Sequence, residues 1–134
     1  MTPSVARRSA VVFVGGVLLL LAAVAHGLGF AQFDDGLATA PADTRAALHV
    51  GWLWGSATFA ALGVIVLGAV RHWRRHGRDP RAAVAPAAVA LVVFGAAAFV
   101  ARDCNPHFLG FVALGLVLGL PLLGAGRFGT PPNG

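Results

Sequence analysis

Cys104 and His107 stand three residues apart in the stretch Asp103-Cys104-Asn105-Pro106-His107, the one place in the chain with the local spacing of metal ligands. Two more histidines, His26 and His49, lie far away in sequence at the ends of apolar runs. A thiolate together with imidazoles holds zinc or copper, and three imidazoles alone hold copper. Two imidazoles on facing helices can instead ligate a haem iron axially. His26, His49, His107 and Cys104 therefore form the candidate metal or haem set, with copper, zinc or haem as the possible occupant. The alternative needs no metal: the same rings, neutral near a lipid–water boundary, would form a hydrogen-bonded cluster.

The other two histidines read differently. His72 and His76 are four apart, as ligands on one helix face can be, but Arg71, Arg74, Arg75 and Arg78 surround them and repel a cation. A solvated, headgroup-facing helix end is expected there, with no metal. Cys104 is the sole cysteine, so no disulfide can close within the chain.

Whatever positions these residues is built in a membrane. The chain has 134 residues, 57% of them hydrophobic and 11% charged, whereas soluble domains carry about a quarter charged residues. Four apolar runs, near Ala10–Phe30, Ala46–Val70, Ala82–Ala101 and His107–Gly126, are each long enough to cross a ~30 Å hydrocarbon core as a helix. Helix is required, because a lone strand in lipid leaves its backbone unpaired. The expectation is an all-α, integral membrane four-helix up-down bundle forming a single domain, with residues 130–134 as a disordered tail. Pro86 falls early in the third run, where its missing N–H costs little, and Pro121 is expected to kink or shorten the fourth.

Charge sets the orientation. With four crossings, Arg7, Arg8, Arg71, Arg74, Arg75, Arg78, Arg81 and Arg127 share one side, and Arg45, Arg102, Asp34, Asp35, Asp43 and Asp103 share the other. The positive-inside rule then places both termini in the cytoplasm. It also brings His26, His49 and His107 to one outer level. The net charge of +5 is explained by this segregation, so nucleic acid is not expected as a partner. Basic residues that are all Arg, with abundant Ala, Gly and Val, point to a bacterial inner membrane.

A secretory signal peptide competes for the first run, since Arg7-Arg8, an apolar stretch and Ala23-Val24-Ala25 form a plausible cleavage pattern. The run continues through Gly27 to Phe30, which favours a retained helix. Trp52 and Trp54 near one end of the second run, and Trp73 near the other, suit the two interfaces. Gly51 and Gly55, and Gly115 and Gly119, are spaced to let helix backbones approach.

Enzyme chemistry finds little support. No acid lies inside a run, no phosphate-binding loop is present, and Ser56 and Thr58, with no base nearby in sequence, are expected to bond the carbonyl one turn back or a neighbouring helix. Three roles remain: an accessory or structural subunit contacting the bilayer and other membrane subunits or itself, a redox or metal-handling protein, and a small-solute transporter or channel. The pattern Ala25-His26-Gly27-Leu28-Gly29, then Arg45 with Leu48-His49-Val50-Gly51-Trp52 and Ser56, then Pro106-His107-Phe108-Leu109-Gly110-Phe111, resembles a group of small four-helix bacterial inner-membrane proteins. These carry a histidine at each of the three places. The resemblance implies the topology and a shared importance for the three histidines, and it implies no activity. The adjacent Asp34 and Asp35 and the thiol of Cys104 depart from that group.

Overall fold

The computed structural model describes residues 2–123, which hold five α-helices and no strand. Helix α1 spans Pro3–Leu28. Thr2 caps it by accepting the Val5 N–H, and Pro3 occupies the first turn, where no N–H is needed. A bend at Gly29 separates α1 from a short helix, α2, over Phe30–Gly36. Thus the loop that follows α1 carries a helical turn that its two aspartates did not advertise.

Helix α3, Ala42–His76, has 35 residues. At 1.5 Å per residue it is ~52 Å long, well beyond the ~30 Å of a hydrocarbon core. It ends at Gly77, whose φ of 68° is left-handed and whose N–H bonds the Trp73 carbonyl at 2.8 Å. Trp52 and Trp73 are 21 positions apart, ~32 Å along the axis, which matches the core thickness. Trp54 is exposed while Trp73 is buried, so Trp73 packs within the bundle.

Helix α4 covers Arg81–Ala101 and α5 covers Leu109–Leu123, joined through a 3₁₀ turn at Pro106–Phe108. The end of α4 closes with the Cys104 N–H on the Phe99 carbonyl at 2.9 Å. That closure puts Asp103 and Cys104 at φ of 52° and 58°, left-handed values uncommon outside glycine. Pro121 sits inside α5, which continues to Leu123. Arg127 and the tail at 130–134 lie outside the described residues.

Helices α1, α3, α4 and α5 form a ring. The tightest pairs are α1 with α3 and α4 with α5, and α1–α5 and α3–α4 contacts close it. Inward positions recur at alternating steps of three and four. On α1 they include Ser9, Val12, Gly16 and Leu19, and on α3 Phe59, Gly63, Val66, Val70 and Trp73. This is the spacing of left-handed helix packing.

Small residues decide how close the helices come. A side-chain carbon on Gly63 would lie 3.2 Å from the Gly16 carbonyl oxygen, and one on Gly115 only 2.7 Å from the Ala88 carbonyl oxygen. Gly119 abuts the Ala88 methyl, Gly55 faces the His26 ring, and Gly51 has nothing within 4 Å. Leu21, Val24, Val64, Val93 and Leu120 are all exposed. So broad an apolar exterior suits lipid, since soluble monomers rarely expose large contiguous apolar patches. Four of the segments are long and apolar enough to cross a bilayer.

Gly115→Ala should push α4 from α5 and lower thermal stability in detergent by about 1–3 kcal/mol, the usual range for overpacking. Gly68 has nothing within 4 Å. Gly68→Ala should therefore be neutral or gain up to about 1 kcal/mol from helix propensity. Equal melting of the two variants would remove close α4–α5 contact as a stabilising feature.

Candidate functional site

The inward seam of α3 does not stop where the apolar residues stop. Counting back from Phe59 by alternating threes and fours gives Ser56, Trp52, His49 and Arg45. The same count forward along α1 from Leu19 passes Ala23 and reaches His26. The end of the bundle away from the arginine-rich turn is thus lined by polar and aromatic residues in core phase.

His26 and Ser56 meet across the α1–α3 contact, with Nδ1 and Oγ 2.8 Å apart. The His26 ring stacks on Trp52 at 3.9 Å between centroids, and the Trp52 indole N–H donates to the His26 carbonyl at 2.8 Å. Ser56 also donates to the Trp52 carbonyl, at 3.3 Å. A hydroxyl has one proton, so when it is directed to that carbonyl, Nδ1 of His26 is the donor to Oγ. Gly55 leaves room for the imidazole: a side-chain carbon there would sit 3.2 Å from its Cε1.

The second group lies further out. Asp34, on α2, accepts through one oxygen from His49 Nε2 at 2.7 Å and from Arg45 Nε at 2.9 Å. The His49 ring lies 5.1 Å from Phe30, and Phe33 stacks on the seam tryptophan at 4.2 Å. Trp52 therefore joins the groups, bridging Phe33 of α2 and His26 of α1. The hydrogen bond from Arg45 holds the Asp34 carboxyl below the usual carboxylate range; His49 acts in the same sense, and desolvation opposes them.

His107 and Cys104 sit on the other hairpin. The Asn105 side chain accepts the His107 backbone N–H at 3.0 Å, and the His107 ring meets Phe108 and Phe111 edge-on. Cys104 is exposed. Phe111 stacks on Phe59, which meets His26 edge-on at 5.8 Å, so aromatic rings stand between His107 and His26. Among the described residues, no three His, Cys, Asp or Glu side chains converge as a metal would require. The structure places His26 and His49 on the α1–α3 side, linked through Trp52 and Phe33, and His107 on the other hairpin, linked to His26 only through the rings of Phe111 and Phe59. At the opposite end, His72 and His76 pack ring to ring at 4.7 Å, and Arg78 reaches His72.

The sequence points to Ser56 bonding the carbonyl one turn back or a neighbouring helix, and it does both, but it does not single out Asp34, Arg45, Trp52 or the pairing of Ser56 with His26 as one network. The seam count on α3 would have found three of them. Asp34 carried no such signal, because α2 is too short for a repeat. No protein-family model matches the chain, and no curated protein or solved structure is significantly similar to it.

A carboxyl that titrates lower in the fold than in the unfolded chain adds stability that is complete above its unfolded value. That stability fades as pH falls through the folded value. At neutral pH the wild type should melt above Asp34→Asn, and the gap should close on acidification below the ordinary carboxylate range. A gap independent of pH would show that the Asp34 charge is not what ties α2 to α3.

Proposed function

We propose that the chain is a multi-pass protein of a bacterial inner membrane, with both termini cytoplasmic. In this reading it serves as an accessory or structural subunit of a larger membrane assembly or homo-oligomer. One observation carries the reading: the imidazoles most suited to chemistry are already bonded within the fold, His26 to Ser56 and His49 to Asp34. Used in this way the histidines are ties between helices, and the function lies in the surface the ties hold in shape. The membrane assignment draws on four apolar helices and an apolar exterior. The orientation draws on arginine segregation, and the bacterial assignment on an Arg-only, Ala-, Gly- and Val-rich composition.

Protein purified from its host in mild detergent should be colourless and free of stoichiometric copper, zinc and iron, and should migrate as an assembly larger than one chain. Ser56→Ala should lower its melting temperature without changing its spectrum, because it strips the half-buried His26 ring of its partner at a cost of about 1 kcal/mol. A haem absorption band, or a metal lost on His49→Ala, would replace the structural reading with the cofactor-binding one.

Cys104 offers a direct test of orientation, being the only thiol in the chain and exposed. A membrane-impermeant maleimide should label it in spheroplasts with intact membranes, and Cys104→Ser should abolish the label. Labelling only after permeabilisation would invert the topology.

A further inference from the structure

The α4–α5 pair carries an open groove on the arginine-rich half of the bundle, with a cavity volume of about 590 Å³. Its walls include Ala85, Val89 and Val93 of α4 and Leu116 and Leu120 of α5, with Arg81 at one end. Gly119 keeps the groove open, since it presents no side chain between the two walls. From Arg81 to Val93 the groove follows twelve residues of α4, ~18 Å at the helical rise, which is close to half of a ~30 Å hydrocarbon core.

Its two ends differ in chemistry. The deep end is purely aliphatic. At the mouth, Arg81 is steered across the groove by donation from its Nε to the Leu122 carbonyl at 3.2 Å. The turn before it carries Arg78, with Asp79 as the sole acid there; Arg71 and Arg75 lie on the last turns of α3, while Arg74 is turned to Ser9 and Phe13 of α1. Asp79 is held by the backbone N–H of Arg81 at 2.9 Å and lies 3.8 Å from the Arg81 guanidinium. A cationic mouth leading into an apolar trough one leaflet deep complements one kind of molecule, an amphiphile with a negative head.

We propose that this groove binds an acyl chain of an anionic phospholipid from the leaflet on the arginine-rich side, with its phosphate at Arg81. The site is independent of the histidine network and of whatever larger assembly the chain joins. It requires only that the four helices span a bilayer.

Native mass spectrometry of the full chain in detergent tests this with two probes of identical acyl chains, phosphatidylglycerol and phosphatidylcholine. One phosphatidylglycerol should remain bound per chain, in preference to phosphatidylcholine. Arg81→Gln should weaken its retention about fivefold, the factor set by ~1 kcal/mol per arginine near an anionic headgroup. Val89 is 61% exposed, so Val89→Trp fills the groove from its lipid-facing wall without touching the core. This variant should lose retention of both lipids while keeping its helical circular dichroism. Equal retention of the two lipids would overturn the role of the mouth. Retention indifferent to Val89→Trp would overturn the groove as the site. A stable dimer that retains no lipid would assign the groove to a second copy of the chain and overturn the proposal.

Discussion

The approach of α1 to α3 is the constraint on which the histidine network depends. Gly16 and Gly63 let the two backbones come within contact distance midway along the helices, where any larger residue would meet the opposite chain. Once that spacing is fixed, the same seam continued outward delivers His26 against Gly55, beside Trp52 and Ser56. A wider separation would leave the imidazole short of the serine and the indole short of the His26 carbonyl. The glycines in the apolar middle thus set the hydrogen-bond distances at the polar end.

Polar contacts in turn supply what apolar packing cannot. Within lipid no hydrophobic force draws one helix to another, and rows of Leu, Val and Ala fit nearly as well after a shift along the axis. The α1–α3 pair is fastened at both ends. At one end His26 meets Ser56, and at the other Arg74 donates to the buried Ser9 at 3.1 Å with its guanidinium over the Phe13 ring. Ser9 is satisfied twice, since it also donates to the Ala6 carbonyl. A slide of one turn, ~5.4 Å, would break both fastenings together, so the pair defines the axial register.

Much of this architecture could be read from residue order. Four apolar stretches, the arginine-rich turn and the interfacial placement of Trp52 depend on local composition, which the sequence displays directly. The partners of His26 and His49 do not, for two reasons visible in particular residues. Ser56 lies 30 positions from His26, and only the phase of the seam shows that both face inward. Asp34 depends on α2, a helix of seven residues whose docking is fixed by Phe33 on Trp52 rather than by any periodicity of its own. The paired glycines illustrate the same limit. Gly51 and Gly55 share a spacing with Gly115 and Gly119, yet Gly51 opens outward while Gly115 sits against an opposing backbone. Spacing identifies a stripe on a helix, but its angle to the neighbouring helix decides whether the stripe is used.

The two hairpins also differ in how they hold together, and this bears on which can accommodate a partner. The α1–α3 hairpin combines close glycine contact with polar fastenings and a stacked run of Phe33, Trp52 and His26. The α4–α5 hairpin relies on Gly95 and Gly115 for its approach, with Arg81 on the Leu122 carbonyl at one end. Gly15 against Leu118 and Phe59 stacked on Phe111 join one hairpin to the other. Small residues allow close contact at little entropic cost, but where they are not matched by a neighbour they leave hollows, as along the outer side of α4 and α5. In a bilayer such a hollow is filled by lipid or by another helix. Rigidity therefore belongs to the histidine-bearing hairpin, and adaptability to the one that carries the groove.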